Sequence, residues 1–283
     1  MSRSYRGLSL WFDTLTTSLA PRPSLPGAID VDVAIVGGGF TGLWTAYYLL
    51  AADPALRVAV LEAEIAGFGA SGRNGGWCSA LYPVGISTLA AEAGRDAAHA
   101  QYRAMQGAVA EVVRAAAAED IDADVAVGGT VVLARSATQL ERAREEVEQA
   151  GGFGLEAELL DETQARGRVN ATDVRGATYT PHCAALHPAK LVRGLADVVE
   201  ARGASIYERT RVRGIERGVV HTDHGDVRAA TIVRATEGYT AQLAGSKRAL
   251  APVYSLVIAT EPLSEAVWDE IGLRQRETFS DFR

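Results

Sequence analysis

Lysine is nearly missing from this chain. Lys190 and Lys247 are the two lysines among 28 basic residues, so arginine carries the positive charge. Those arginines are scattered among 35 acidic residues, and the formal net charge of −7 argues against a nucleic-acid-binding surface. Cysteine is equally scarce. Cys78 and Cys183 are too few for a disulfide framework and lack metal-ligand spacing, so no metal site is expected. Both read as reduced thiols of a cytoplasmic protein. No apolar run approaches the ~20 residues that span a bilayer. The first thirty residues hold no sustained apolar segment and include Asp13, so a secretory signal is not expected either. Proline is sparse, and Pro21, Pro23 and Pro26 cluster just ahead of the first apolar run, which reads as an extended lead-in. What remains, 48% hydrophobic and 22% charged residues over 283 positions, suits a globular chain with one large or two modest cores.

Glycine, by contrast, is plentiful and placed with purpose. The apolar run Val31 to Val36 ends in Gly37, Gly39 and Gly42, spaced G-x-G-x-x-G. A helical pattern follows through Leu43, Ala46, Tyr47 and Leu50, and a second apolar run, Val58 to Leu61, ends in Glu62. Strand, tight turn, helix, strand and acid together make the fingerprint of a dinucleotide-binding βαβ unit. Gly37 permits the sharp turn, Gly39 lets the backbone approach a pyrophosphate, and Gly42 lets the helix pack closely on the sheet. The helix start at Phe40 and Thr41 offers free N–H groups and partial positive charge to phosphates. Glu62 stands where a carboxylate accepts hydrogen bonds from ribose hydroxyls, which favours NAD or FAD over NADP. The fingerprint leaves NAD and FAD equally open.

A second glycine cluster follows. Gly67, Gly69, Gly72, Gly75 and Gly76 surround Ser71, Arg73 and Asn74, with Phe68 and Trp77 beside them. Small residues, hydrogen-bond donors and aromatics in one loop suit close approach to a flat polar ligand. Ser87 to Asp120 reads as one or two Ala-rich helices, Val131 to Ala134 as a strand, and Ser136 to Ala150 as a capped amphipathic helix. Gly176 to His187 has strand character broken by Pro181. Pro188 opens a helix that Gly203 closes. Ser205 to Val212 reads as a strand, Val219 to Thr222 and Val227 to Val233 as a hairpin, and Pro252 to Thr260 as a further strand. Thr236 and Gly238 form another turn after a strand end, able to reach a nucleotide from a second side.

The segments GGGFTG, LEAE, GFGASGRNGG, HPAKLVRGL, YERTRV and VRATEGYT, in this order, resemble the D-amino-acid oxidase family of FAD-dependent oxidoreductases. The likeness is strongest to its gamma-glutamylputrescine oxidoreductase-like amine oxidases. The resemblance implies an α/β fold in which a Rossmann-like FAD-binding domain is interleaved with a mixed-sheet (α+β) substrate domain. The expected division is a lead-in over residues 1–30, an FAD domain over 31–80 and 185–245, and a substrate domain over 81–184 and 246–283. It selects FAD as cofactor. Gly37, Gly39, Phe40, Thr41 and Gly42 would hold the pyrophosphate and Glu62 the adenosine ribose. Ser71 and Gly72 would lie by the pyrophosphate, with Arg73, Asn74 and Gly75 nearer the isoalloxazine. Val212 would meet adenine, and Thr236 and Gly238 would pass close to the cofactor. The implied partners are a small amine or amino-acid substrate and oxygen or another electron acceptor. Hydride transfer from the carbon beside nitrogen to flavin N5 would be the reaction, with no catalytic residue identifiable. Family members run on beyond residue 283, so a C-terminally incomplete chain is expected. Two other readings stand beside this one: an NAD-linked dehydrogenase, and a truncated, non-catalytic nucleotide-binding fragment.

Overall fold

A computed structural model describes residues 4–282. The chain opens with helix α1 (Leu10–Asp13), strand β1 (Ile29–Val36), helix α2 (Phe40–Ala52) and strand β2 (Val58–Leu61). There follow β3 (Trp77–Ser79), α3 (Ile86–Ala93), α4 (Arg95–Ala118), β4 (Thr130–Ala134) and α5 (Ala137–Gly152). Next come β5 (Glu158–Asp161), α6 (Glu162–Arg168), β6 (Gly176–Thr180) and β7 (Cys183–Ala185). The last stretch holds α7 (Pro188–Ala201), β8 (Ser205–Tyr207), β9 (Val212–Glu216), β10 (Val219–Thr222), β11 (Asp226–Arg234), α8 (Glu265–Ile271) and β12 (Thr278–Asp281).

These elements fall into two compact units, each discontinuous in sequence. One comprises the chain up to Gly75, Glu119–Ala123 and His187–Ile258; the other comprises Gly76–Ala118, Asp124–Leu186 and the chain from Ala259. The first unit is a six-stranded sheet in the order β8-β2-β1-β11-β10-β9. Its first four strands are parallel, and β10 and β9 continue antiparallel as a meander. Alternation along β1 explains why both faces are covered. Val33 and Ile35 pack with Leu43, Ala46, Tyr47 and Leu50 of α2 and with Val192, Leu195, Ala196 and Val199 of α7. Ala34 and Val36 point the other way, into a cluster with Leu25, Leu61, Val220 and Val227. Each fully buried Leu or Val of this kind contributes about 1.5–3 kcal/mol. His187 caps α7 by accepting the Lys190 N–H at Nδ1, and Pro188 takes the first helical turn, where its missing N–H costs nothing.

The second unit contains a four-stranded mixed sheet, β12-β4-β6-β5, and a two-stranded pair, β3-β7. Its core gathers Val131, Leu133, Leu160, Ala177 and the α6 residue Ala165. Helix α6 starts with a reciprocal cap, Asp161 accepting from the Gln164 backbone and Gln164 from the Asp161 backbone.

Most elements lie where the residue pattern puts them, with three differences. The strand expected over Ser205 to Val212 stops at Tyr207, because Glu208 turns fully inward and Arg209 adopts a left-handed backbone (φ +52°); Val212 instead begins β9. Pro252 to Thr260 forms no strand. No described strand pairs with it, and Val253, Leu256 and Ile258 are all more than nine-tenths exposed. The Pro-rich lead-in is preceded by folded chain, since Tyr5, Phe12 and Leu15 are buried around α1. Among the described residues no helix is long and apolar enough to cross a membrane.

Candidate functional site

Strands β1, β2 and β11 run parallel and end along one edge of the first unit's sheet. Ligands of open α/β sheets bind outside such carboxyl ends. A cavity of about 740 Å³ opens there, within the 300–1,000 Å³ range of small-molecule sites. Its wall is assembled from pieces far apart in sequence: Gly37 to Thr41, Leu61 to Glu64, Phe68 to Arg73, Thr210 to Arg213 and Ala235 to Tyr239 all contribute.

The turn from β1 into α2 is built by contacts that only glycine allows. Gly37 has φ +111°, and a Cβ there would sit 2.4 Å from the Ala235 carbonyl oxygen. A Cβ on Gly42 would meet the Gly37 carbonyl oxygen at 2.1 Å and Ile35 at 3.1 Å, so this glycine lets α2 press on the sheet. Gly39 is the helix N-cap and has no side chain of its own to offer. The cap is supplied from 31 residues away, where the Ser71 hydroxyl accepts the Phe40 N–H at 2.9 Å. The Thr41 and Gly42 N–H groups have no intrahelical acceptor and add to the positive end of the helix dipole.

Glu62 closes the other side of the turn. Its Oε2 accepts the Gly38 N–H (2.8 Å) and its Oε1 the Glu64 N–H (2.9 Å). Burial pushes its carboxyl above the ordinary carboxylate range, partly offset by those two amides. A carboxylate has about four acceptor positions, so two remain for ligand hydroxyls. Arg73 lies over the Phe68 ring at 5.1 Å, donates to the Gly69 carbonyl (3.3 Å) and reaches the Tyr239 hydroxyl (3.2 Å). That contact ties the second glycine loop to the turn after β11. In that turn the Thr236 and Thr240 hydroxyls share a hydrogen bond of 2.8 Å.

The structure therefore brings nine of the expected site residues onto one cavity wall: Gly37, Gly39, Phe40, Thr41, Glu62, Ser71, Arg73, Val212 and Thr236. Five others do not line it. Gly42 and Gly72 are consumed by packing, a Gly72 Cβ falling 2.3 Å from the Gly67 carbonyl oxygen and 3.1 Å from the Phe12 ring. Asn74 spends its side-chain amide on the Ala70 and Ser71 carbonyls. Gly75 stands on the surface with nothing within 4 Å of a Cβ, and a Gly238 Cβ would meet Pro252. Trp77, grouped with the loop by sequence, lies on β3 of the second unit. Residues that the motif reading passed over also reach the cavity, among them Leu8, Glu64, Arg211, Arg213 and Gln242. Arg211 and Arg213 flank Val212 at the start of β9, beside a position the resemblance had assigned to adenine.

The chain thus has the architecture of a dinucleotide-binding protein whose site draws on both early and late segments. Residues 32–282 match the FAD dependent oxidoreductase (DAO) family, and the chain belongs to it. Gamma-glutamylputrescine oxidoreductase of Escherichia coli (strain K12) is 34% identical over 266 residues, covering 91% of this chain and 61% of that protein. The chain accordingly spans about three fifths of the length of this curated relative. Among solved structures, glycine oxidase from Geobacillus kaustophilus aligns with a TM-score of 0.61 at 25% identity, over 77% of this chain and 58% of that one. The L-amino acid deaminase from Proteus myxofaciens, in complex with anthranilate, shares the fold with a TM-score of 0.66 at 20% identity, over 80% and 49% of the two chains.

FAD is the cofactor of the family, and the residues present suit it. Gly37 and Gly39 line the cavity without side chains, the α2 N-terminal residues Phe40 and Thr41 share that wall, and Glu62 keeps acceptor capacity beside them.

Proposed function

We propose that this chain forms the FAD-binding part of an oxidoreductase that oxidises the C–N bond of a small amine or amino acid, acting in the cytoplasm, with oxygen or another acceptor taking up the electrons. The observation that carries the reading is the single cavity wall shared by the Gly37–Thr41 turn, Glu62, Val212 and Thr236. In this reading the Thr41 amide and the α2 dipole bind the pyrophosphate. Glu62 takes the ribose hydroxyls, and the backbone at Val212 takes the adenine. Ser71 caps the helix N-terminus at the Phe40 N–H, while Arg73, backed by Phe68 and Tyr239, orients the loop nearest the flavin ring. When bound, FAD would supply a two-electron acceptor for the hydride lost from the carbon beside the substrate nitrogen. The family match and the identity to an enzyme named for gamma-glutamylputrescine support an amine as the substrate class.

The test is cofactor uptake by the purified chain, followed by anaerobic addition of amines and amino acids. The expected result is a flavin absorbance spectrum that survives gel filtration and bleaches with an amine. A chain that retains no FAD yet binds NAD would overturn the reading.

A further inference from the structure

The match to the family begins at residue 32, and the chain ahead of it packs against segments of the cavity wall. Residues 5–25 touch three of the segments that form the cavity wall. On the loop after β2, the Tyr5 hydroxyl donates to Glu64 (3.2 Å) and the Tyr5 ring meets Phe68 edge-on at 6.2 Å. On the second glycine loop, Trp11 Nε1 donates to the Asn74 carbonyl (2.8 Å), and the fully buried Phe12 ring lies where any side chain on Gly72 would have to go. On the crossover from β8 to β9, the Arg22 N–H and guanidinium both donate to Glu208 (2.7 and 3.1 Å). The Leu25 N–H there donates to Thr210 (3.0 Å). Leu8 itself stands on the cavity wall.

Two buried groups lock this arrangement. Glu208, wholly removed from solvent, also accepts the Ala66 N–H (2.8 Å) and the Arg193 guanidinium (3.0 Å), so one carboxylate joins the arm, the loop after β2 and α7. The α7 cap His187 meets the Trp11 ring at 4.9 Å and the Thr14 hydroxyl at 3.0 Å through Nε2. A segment that merely led into β1 would need none of these partners.

We propose that the N-terminal arm is a strap of the cofactor site, with Trp11 as its positioning residue, so that docking of the arm and binding of FAD strengthen one another. Trp11 acts through the Asn74 carbonyl. Held there, the Ser71–Asn74 turn keeps the Ser71 hydroxyl on the α2 N-terminus and Arg73 on Phe68 and Tyr239. The inference rests on FAD occupying the cavity.

The experiment uses the full chain and Trp11→Phe, which keeps an aromatic ring beside His187 while losing the pyrrole ring and its N–H donor. FAD affinity is measured by flavin fluorescence quenching, and hydrogen exchange of the Phe12, Asp13 and Thr14 amides is followed with and without FAD. Trp11→Phe is expected to weaken FAD binding about fivefold, the scale of one net hydrogen bond. In the unsubstituted chain, saturating FAD should slow exchange at those three amides several-fold, because coupling between two sites is reciprocal. A strap with a structural role alone would lower the melting temperature of the FAD-free protein and leave the FAD-dependent exchange unchanged. That result, or equal FAD affinity in the two proteins, overturns the strap. Failure of the unsubstituted chain to take up any FAD overturns the functional reading beneath it and the strap with it.

Discussion

Two glycine-rich turns face the same cavity, and they need their glycines for different reasons. In the turn from β1 into α2 the demand at Gly42 is local, although Gly37 also answers to the distant Ala235 carbonyl. Gly42 is pressed against the Gly37 carbonyl five residues earlier and against Ile35 of the preceding strand. In the loop from Gly67 to Gly76 much of the demand comes from afar. Gly67 holds φ +82° with Val192 of α7 2.3 Å from where a Cβ would lie, and Gly72 is pressed between the Gly67 carbonyl five residues earlier and Phe12 of the N-terminal arm. A turn set by its own neighbours has a spacing that repeats between proteins; a turn set by distant packing does not.

Gly42→Ala breaks the local turn and should have the largest effect. Its Cβ would overlap backbone, which no rotamer can relieve, and we expect a loss of about 2–4 kcal/mol in urea unfolding together with loss of FAD uptake. Gly67→Ala tests the distant demand. It adds strain of about 1–2 kcal/mol at a left-handed residue to the clash with Val192. Combining it with Val192→Ala should give a protein less destabilised than the sum of the single changes by about 1 kcal/mol. Simple additivity would show that Val192 does not impose this glycine. Ser71→Ala removes the hydroxyl that joins the two turns at the Phe40 N–H. A drop of about 1 kcal/mol is expected, with recovery in Ser71→Thr if the shared cap is the cause. Gly75→Ala should be nearly silent, within about 0.5 kcal/mol by thermal unfolding, since nothing surrounds that position.

The same contrast explains how much could be read from the residues. Strand β1, helix α2, strand β2 and the acid at Glu62 follow from apolar periodicity and spacing alone, as do α7 behind Pro188 and the β10–β11 hairpin. The places where the reading departed from the structure depend on partners remote in sequence. Ser205 to Val212 looks like one strand until Glu208 is drawn inward by Arg22 and Arg193. Pro252 to Thr260 has a strand's composition, but a strand also requires a neighbour to pair with. The arm did carry a signal, since Tyr5, Leu8, Phe12 and Leu15 recur at helical spacing, but the three prolines behind it drew attention to extended chain. Gly72 and Asn74 read as ligand contacts because loop composition does not distinguish a residue that faces a ligand from one that lets the loop close on itself.

The pairing of β1 with β11 has a consequence for how the protein comes into being. Ile29 lies beside Val227, about 200 residues later in the chain. At synthesis rates of about 5–20 residues per second, β1 waits roughly 10–40 s before its central neighbour leaves the ribosome. During that interval the first βαβ unit exists as a nascent chain with one flank of its sheet open, and closing so long a loop is a slow step. The fingerprint that is easiest to read in the sequence therefore belongs to the part of the protein that is made early and completed late.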